Sequence, residues 1–319
     1  MSLQEEFKQI ENYMNSCIVG QPELIKKLLI ALLANGHLLV EGAPGLAKTK
    51  TVKMLTRAIC ANEQRIQFTP DLLPSDITGC DVYRPETNQF FFQKGPIFSN
   101  LILADEINRA PAKVQSALLE AMGERQVTIG ATTYRLPDLF MVMATQNPIE
   151  QEGTYNLPEA QLDRFLFYVK INYPNIEAER KILKLIRKEE RMEPLPEIQR
   201  VTERLIFEAR QEVSQVYMSP EIEEYIIQLV MATRQPEVYG EDLKKYIGFG
   251  VSPRGTIALD ICARACAWLN GRDYVTPDDL RCIVYDILRH RVLPSFEARS
   301  MGITSDKIID MLLSRVPMV

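Results

Sequence analysis

Residues 42 to 49 of this 319-residue chain read Gly42-Ala43-Pro44-Gly45-Leu46-Ala47-Lys48-Thr49. The segment follows the short apolar run Leu38–Val40 and precedes residues with the spacing of a helix. A loop between a strand and a helix can wrap phosphates with its backbone N–H groups, and the helix dipole also favours an anion there. Lys48 would balance the phosphate charge, and the Thr49 hydroxyl would bind Mg²⁺. The segment therefore predicts a nucleoside-triphosphate site.

A second segment supplies carboxylates for the same site. The apolar run Leu101–Ala104 leads directly into Asp105 and Glu106. Ligands of α/β proteins bind at the carboxyl ends of the strands, so we expect both side chains beside the phosphate loop. Asp105 is predicted to hold Mg²⁺ together with Thr49. Glu106 is predicted to polarise the water that attacks the γ-phosphate, a role worth roughly 10²–10⁴-fold in rate; a helix-capping acid is the alternative.

One position departs from the usual phosphate-loop pattern. A glycine normally precedes the lysine, and here that residue is Ala47. Alanine is compatible with the loop if its backbone φ is negative. A chance turn rich in glycine and proline is the alternative interpretation, and the Asp105-Glu106 segment disfavours it.

Two further residues fit a phosphate site on physical grounds. Asn147 follows the apolar run 141–145, where its amide could hold the attacking water or the γ-phosphate; an ordinary turn is the alternative. Ser252, Pro253 and Arg254 have the pattern of a helix N-cap followed by the first two helical residues. A cation in the first turn opposes the helix dipole by about 0.3–1 kcal/mol, which a facing γ-phosphate would offset. A surface arginine without such a role is the alternative for Arg254.

Hydrophobic spacing predicts a parallel α/β sheet followed by helices. Strands are predicted at 38–40, 65–68, 101–104, 141–145 and 165–169. Helices are predicted at 22–35, 48–61 and 112–124, and then at 176–189, 201–213, 219–233, 253–270, 277–288 and 305–314. Strands that alternate with helices require crossover connections, which give a parallel sheet.

Two segments interrupt this alternation. Residues 82–92 and 125–136 hold short β-type runs around turn residues, and both predict hairpins inserted into the α/β core. The β character ends after residues 172–174. We therefore predict an α/β nucleotide-binding domain at 1–174 and an all-α domain at 175–319.

Composition narrows the class of protein and its location. The net charge of −5 and the pI of about 5.4 argue against a surface built for nucleic-acid backbones. The first residues have no basic leader, and the longest apolar stretch, residues 28–40, is too short and too interrupted to span a membrane. The six cysteines show no C-x-x-C spacing, which favours free thiols in a reducing compartment. We therefore expect a cytoplasmic protein with no membrane span and no nucleic-acid partner.

Longer segments around these motifs resemble the MoxR subfamily of AAA+ ATPases. They are Arg65–Gly79 (RIQFTPDLLPSDITG), Asp105–Pro111 (DEINRAP), Glu152–Phe165 (EGTYNLPEAQLDRF) and Val251–Gly255 (VSPRG). The resemblance spans essentially the whole chain, and strings of this length are highly specific. It also accounts for Ala47, because MoxR-type loops commonly read Ala-Lys-Thr. It implies an AAA+ P-loop core with a parallel sheet and inserted β-hairpins, followed by a helical lid domain.

The resemblance also implies roles for individual residues, with ATP and Mg²⁺ as cofactors. Gly42–Thr49 match the Walker A loop, and Asp105 and Glu106 match the Walker B pair. Asn147 matches sensor 1, and Arg254 matches sensor 2.

Catalysis in this family is shared between subunits of a hexameric ring. Arg164, in Leu-Asp-Arg-Phe, matches the arginine finger that reaches the γ-phosphate of the neighbouring subunit, which can be worth 10³–10⁵ in rate. The alternative for Arg164 is a partner for Asp163 within one subunit. Arg109 and Arg125 are rivals for the role between subunits.

Two other features are assigned by the resemblance alone. Val19 and Gly20 fall where the family contacts adenine. The two hairpins resemble those that face the pore in the clade containing magnesium chelatase and MCM motors.

The expected function is an ATP-hydrolysing ring that remodels, assembles or inserts metal into client proteins. The resemblance suggests a partner with a von Willebrand factor A domain. A nucleic-acid motor or helicase loader is one alternative, which the acidic pI disfavours. A nucleotide-gated scaffold without turnover is another, disfavoured by the candidates Glu106, Asn147 and Arg164.

Overall fold

The computed structural model describes residues 2–148, 153–194 and 196–317. The strands are β1 (Leu38–Glu41), β2 (Glu63–Gln67), β3 (Gly79–Arg84), β4 (Gln89–Lys94), β5 (Leu101–Asp105), β6 (Gln126–Ile129), β7 (Thr132–Arg135), β8 (Met141–Gln146), β9 (Phe167–Lys170), β10 (Ile247–Phe249) and β11 (Leu293–Pro294). The helices are α1 (Leu3–Cys17), α2 (Pro22–Leu33), α3 (Lys48–Ala58), α4 (Pro74–Thr78), α5 (Ala112–Glu124), α6 (Glu159–Leu162), α7 (Ile176–Glu190), α8 (Glu203–Gln215), α9 (Pro220–Arg234), α10 (Glu241–Tyr246), α11 (Pro253–Leu269), α12 (Pro277–Leu288), α13 (Phe296–Ser300) and α14 (Ser305–Arg315).

A parallel sheet with the strand order β2-β5-β8-β1-β9 forms the centre of the molecule. The predicted strands are all in it, with shifts of a few residues at their ends. β1, β5 and β8 are almost wholly buried because helices cover both faces. Since these strands run the same way, the residues that follow them meet at one edge of the sheet.

The sheet separates two hydrophobic cores. Along β1, Leu39 faces one core, while Leu38 and Val40 face the other. Side chains alternate because successive residues of a strand point to opposite faces. The core behind Leu38 and Val40 continues into the helices after β9, so the helical region is packed directly onto the sheet.

Helix α1 was not predicted, although its start carries a recognisable signal. Ser2 and Glu5 form a capping box, in which each side chain accepts a hydrogen bond from the other residue's backbone N–H. Phe7 then packs edge-on against Trp268 of α11 at 5.3 Å between ring centroids. The first helix therefore joins the start of the chain to the helical region.

Both hairpins form as predicted, β3–β4 from the first segment and β6–β7 from the second. They touch each other through Phe92 and Tyr134, whose rings stack with 4.0 Å between centroids. At the end of the first hairpin, Phe90 is 71% exposed and lies 5.3 Å from the ring of Tyr83. The hairpins therefore form one joined projection with an exposed aromatic end.

The predicted helices after residue 174 are present. The sequence patterns did not predict the short antiparallel pair of β10 and β11, which lies among these helices. Leu195 and the ends of the chain are outside the described residues. None of the described helices has both the length and the apolar composition that crossing a membrane requires. We retain the domain boundary near residue 174 as a proposal, since β9, the last strand of the central sheet, ends at Lys170.

Candidate nucleotide-binding site

The phosphate loop joins the carboxyl end of β1 to the first turn of α3. A side chain at Gly42 would meet Ile171 Cγ1 at 2.3 Å, so packing against the segment after β9 requires a glycine there. Gly45 has a φ of 83°, a left-handed conformation that favours glycine. The Gly42 N–H donates to the Gln146 carbonyl at 3.2 Å. The loop is thereby held between the ends of the two strands that flank β1.

Ala47 has a φ of 56° and a ψ of 18°, so the condition of a negative φ, under which alanine fits the loop without strain, is not met. The residue is the N-cap of α3, and its carbonyl accepts hydrogen bonds from the N–H and the hydroxyl of Thr51, both at 3.0 Å. A left-handed conformation costs a residue with a Cβ roughly 1–2 kcal/mol. The turn into α3 therefore imposes backbone strain at the position where other phosphate loops have glycine.

One cavity brings the phosphate loop and the predicted polar residues together. Its volume is about 430 Å³, and it is lined by residues 44–50, Arg65, Asp105, Glu106 and Asn147. Asn147 directly follows β8 and is buried. The parallel strands thus place the carboxylates and the amide beside the loop, as the motif order suggested.

Lys48 is held in this cavity by its own loop. Its Nζ donates to the Gly42 carbonyl at 2.6 Å. Burial lowers the pKa of the Lys48 ammonium, while the nearby Asp105 and Glu106 carboxylates oppose that lowering. A partly dehydrated ammonium gains more from a phosphate than a fully hydrated one would, because the local dielectric is lower.

The two carboxylates have different partners. Asp105 accepts a hydrogen bond from the Thr145 hydroxyl on Oδ1 at 2.6 Å. On Oδ2 it accepts from Arg65, with Nη2 at 2.6 Å and Nε at 3.1 Å. Glu106 accepts hydrogen bonds on Oε2 from Gln67 Nε2 at 2.9 Å and from Arg109 Nη1 at 3.0 Å. Each carboxylate is therefore fixed by donors of this chain.

Sequence reasoning missed Arg65, Gln67 and Thr145 as part of the site. A signal for the first two was available, because they alternate with apolar Ile66 on a strand. Residues two apart on a strand point to the same face. β2 pairs with β5 so that Gln67 lies opposite Asp105.

The residues present fit Mg²⁺ bound together with a nucleotide. The Thr49 hydroxyl and the Asp105 carboxylate lie along the same cavity. Mg²⁺ prefers oxygen donors and is usually held by one or two side chains plus substrate phosphates. The Asp105 side chain is 14% exposed, so it is oriented by its surroundings yet open to the cavity.

The predicted adenine contacts lie in a neighbouring cavity of about 540 Å³. Val19 and Gly20 line it, together with residues 169–175 and the first turns of α7. Gly20 has a φ of 84°, and a side chain there would crowd Pro174 and Ala178. Ile171 lines this cavity and also packs on the first glycine of the phosphate loop. The two cavities are therefore adjacent.

Arg164 and Arg254 do not lie at this edge of the sheet. They line a cavity of about 360 Å³ together with residues 34–37, which precede β1, whereas the phosphate loop follows β1. Arg164 Nη1 donates to the Leu119 carbonyl at 2.7 Å and lies against Gly123, where a side chain would clash. Arg254 therefore lies at the edge opposite its own phosphate loop, and a γ-phosphate facing it stays a prediction.

The carboxylate of Asp163 organises this second cavity. It accepts hydrogen bonds from Arg291 Nε at 2.8 Å and from the Ser252 hydroxyl at 2.9 Å, and Arg254 Nη1 lies 3.8 Å away. Arg254 does occupy the first turn of α11, as predicted, and the anion that faces it is Asp163. Arg164 has its contact with Leu119 instead of Asp163, so the alternative of an Arg164–Asp163 pair was wrong.

The two rival arginines differ in position. Arg109 donates to Glu106 at 3.0 Å and so belongs to the phosphate-loop edge. Arg125 lines the same cavity as Arg164, but its guanidinium donates to the Phe140 carbonyl at 2.8 Å and to Asn35. The Arg125 guanidinium thus makes three hydrogen bonds within the described part of the chain, whereas that of Arg164 makes one, to the Leu119 carbonyl.

Comparison with known protein families defines the class. The model of the ATPase family associated with various cellular activities (AAA) matches residues 37–167, and an AAA lid domain model matches residues 241–312. Together with the parallel sheet and its phosphate loop, these matches define an AAA+ ATPase core with a helical lid.

The relatives are more specific. Chaperone MoxR1 of Mycobacterium tuberculosis is 43% identical over 94% of this chain and 78% of its own length. Protein MoxR of Paracoccus denitrificans is 32% identical over 98% and 96%. A crystal structure of a candidate ATPase from Cytophaga hutchinsonii superposes with a TM-score of 0.91 at 46% identity, covering 99% of this chain and 96% of that one. The chain belongs to the MoxR family of AAA+ ATPases.

The strain at Ala47 gives a direct test of the loop geometry. In Ala47→Gly the loss of left-handed strain offsets the greater chain entropy of glycine in the unfolded state, so the free energy of unfolding should stay level or rise by up to about 1 kcal/mol. Ala58→Gly, on the same helix at a negative φ, should lose about 1 kcal/mol or more. Urea denaturation measures both. Equal losses in the two variants would contradict a left-handed Ala47.

Proposed function

We propose that this protein hydrolyses ATP with Mg²⁺ at sites completed by a second copy of the chain. The observation that carries the proposal is the distribution of charged groups over the sheet. The phosphate loop and the carboxylates follow β1 and β5, while Arg164 and Arg254 lie where β1 begins. At about 3.3 Å per residue the four residues of β1 alone separate the two edges by roughly 13 Å.

A head-to-tail assembly resolves this separation. A contact that joins the phosphate-loop edge of one copy to the arginine edge of the next uses two different surfaces. Such contacts generate rings when the rotation closes. A ring makes every copy both a donor of arginines and an owner of a phosphate loop, and six copies are the number proposed from the family resemblance.

Each residue then has a defined part in the reaction. Lys48 and the loop N–H groups bind the phosphates, and Thr49 and Asp105 would hold a Mg²⁺ ion, which would supply neutralisation of the phosphate charge. Glu106 accepts the proton of the attacking water, and Asn147 orients that water. Arginines from the neighbouring copy stabilise the negative charge that develops on the γ-phosphate. These arginines therefore increase the rate of hydrolysis at a site that belongs to another copy.

Remodelling of client proteins is the output that we propose for this cycle. The name of the Mycobacterium tuberculosis relative, Chaperone MoxR1, supports it. The joined hairpins also present an exposed aromatic end at Phe90, which suits contact with apolar segments of a client. Assembly, activation and metal insertion are the proposed outcomes, and a von Willebrand factor A-domain protein is the proposed partner. The cytoplasmic location stays a prediction.

Mixed rings test which residues act on a neighbour. Arg164→Ala and Glu106→Gln should each hydrolyse ATP very slowly. Mixed in equal amounts, they should regain activity at about a quarter of the sites, where an intact Glu106 meets an intact Arg164 from the next copy. Steady-state phosphate release measures this, and no recovery would contradict the shared site.

The same experiment separates the roles of Arg164 and Arg254. If both arginines come from the neighbour, Arg254→Ala should also recover with Glu106→Gln. A mixture of Arg164→Ala with Arg254→Ala should stay inactive, because every neighbour then lacks one arginine. Recovery in that last mixture would instead assign Arg254 to the owner of the phosphate loop.

A trap variant tests the proposed output. Glu106→Gln with ATP and Mg²⁺ should retain client proteins from cell extract, because bound ATP is not turned over. Retention should be absent in Lys48→Ala and reduced when Phe90→Ser is added to the trap. Proteomic analysis of the eluates checks for von Willebrand factor A domains. Retention that does not depend on ATP would count against client remodelling.

A further inference from the structure

Arg65 lines the phosphate-loop cavity beside Asp105, the carboxylate proposed to hold Mg²⁺. Its Nη2 lies 2.6 Å from Asp105 Oδ2 and its Nε 3.1 Å from the same oxygen. The other oxygen, Oδ1, is taken by the hydroxyl of Thr145 at 2.6 Å. Both oxygens of the carboxylate are therefore engaged by donors within the chain.

The same guanidinium reaches a second side chain. Arg65 Nη2 donates to Gln67 Oε1 at 2.7 Å, and Gln67 Nε2 donates to Glu106 Oε2 at 2.9 Å. An amide whose oxygen faces Arg65 must present its NH₂ group on the other side, which is where Glu106 lies. The arginine is thus connected to both carboxylates of the site, directly to Asp105 and through Gln67 to Glu106.

We propose that Arg65 is a built-in substitute for the metal, which holds Asp105 until Mg²⁺ arrives and keeps Glu106 turned towards β2 until then. The inference rests on the proposed nucleotide function and adds a positioning residue to it. Arg65 acts through its neighbours and is not assigned a contact with the nucleotide.

Competition between the two cations follows from distance. Mg²⁺ binds carboxylate oxygens at 2.0–2.1 Å and keeps an octahedral shell around itself. A guanidinium nitrogen 2.6 Å from the same oxygen would lie within about 5 Å of a metal bound there, and two cations so close repel each other. Arg65 is 54% exposed, so its side chain is free to move into solvent when the metal binds.

Release of Arg65 also changes the position of Glu106. Without the guanidinium, the Gln67 amide has lost the partner that fixes its orientation. Glu106 then keeps its hydrogen bond from Arg109, but the Gln67 amide no longer holds its carboxylate towards β2. Metal binding at Asp105 is in this way coupled to the freedom of the group that receives the proton from water.

The test measures binding of a fluorescent ATP analogue, mant-ATP, over a range of Mg²⁺ concentrations at constant ionic strength. The quantity compared is the Mg²⁺ concentration at which half of the metal-dependent gain in affinity is reached. The full chain is compared as wild type, Arg65→Gln, Arg65→Lys and Arg204→Gln. Arg204 is an 82% exposed arginine of α8 that lines neither the phosphate-loop cavity nor the arginine cavity. Arg204→Gln removes the same charge as Arg65→Gln. The readout is binding, so it does not depend on turnover.

In Arg65→Gln the half-saturating Mg²⁺ concentration should fall about two- to fivefold, the range expected when a partly exposed ion pair no longer competes. Arg65→Lys keeps a cation and should stay close to wild type, and Arg204→Gln should match wild type.

Other outcomes overturn the inference. An unchanged or higher half-saturating concentration in Arg65→Gln would show that Arg65 does not compete with the metal. An equal fall in Arg204→Gln would assign the effect to net charge. Failure of the proposed function is distinguishable, because wild type would then show no Mg²⁺-dependent binding of mant-ATP, or Lys48→Ala would bind it equally well.

Discussion

The strands of the central sheet all run in one direction, in the order β2-β5-β8-β1-β9. In a parallel sheet the carboxyl ends of all strands form one edge, and their amino ends form the opposite edge. The two edges are therefore chemically different surfaces. The residues after β1, β5 and β8 supply phosphate-binding N–H groups, carboxylates and an amide. At the opposite edge the cavity is lined by arginines: Arg125 at the end of α5, Arg164 before β9, Arg254 in the first turn of α11 and Arg291 after α12. Every other feature of the proposed site follows from this division.

The amino edge is built around a carboxylate that neutralises part of its positive charge. Arg291 is buried, and burial lowers its pKa, while Asp163 opposes that shift. Asp163 also accepts from Ser252 at the N-terminus of α11 and lies 3.8 Å from Arg254. Since Arg164 is the next residue in the chain, these contacts join its position to that of the lid helix that carries Arg254.

Much of the fold follows from the sequence because its signals are local. Runs of three to five residues, apolar or alternating as at 65–68, predict the sheet strands, and turn residues between β-type runs predict both hairpins. Helix α1 was missed because its capping box was not considered, and β10–β11 because strands of two or three residues have no measurable periodicity. The left-handed Ala47 was also missed, since the sequence pattern favoured the ordinary φ and only the turn into α3 imposes the other.

The residues of the site were harder to place than the fold. The order of strands and motifs correctly predicted that Lys48, Asp105, Glu106 and Asn147 share one cavity. Each lies at or beyond the carboxyl end of a strand, and the direction of a parallel strand fixes the edge of the sheet at which the next residues lie. That order could not tell on which edge Arg254 lies, since α11 is about a hundred residues beyond β8 and its position depends on packing. The contacts of Arg65 with Asp105 were likewise invisible, because they depend on which strand is the neighbour of β5.

The central claim is that the arginines of one copy complete the site of the next. A cryo-electron microscopy structure of Glu106→Gln with ATP and Mg²⁺ tests it most directly. We expect a ring in which the guanidinium groups of Arg164 and Arg254 from one copy lie within hydrogen-bonding distance of the γ-phosphate bound by its neighbour. A γ-phosphate contacted by Arg254 of its own copy, with Arg164 still on the Leu119 carbonyl, would contradict it.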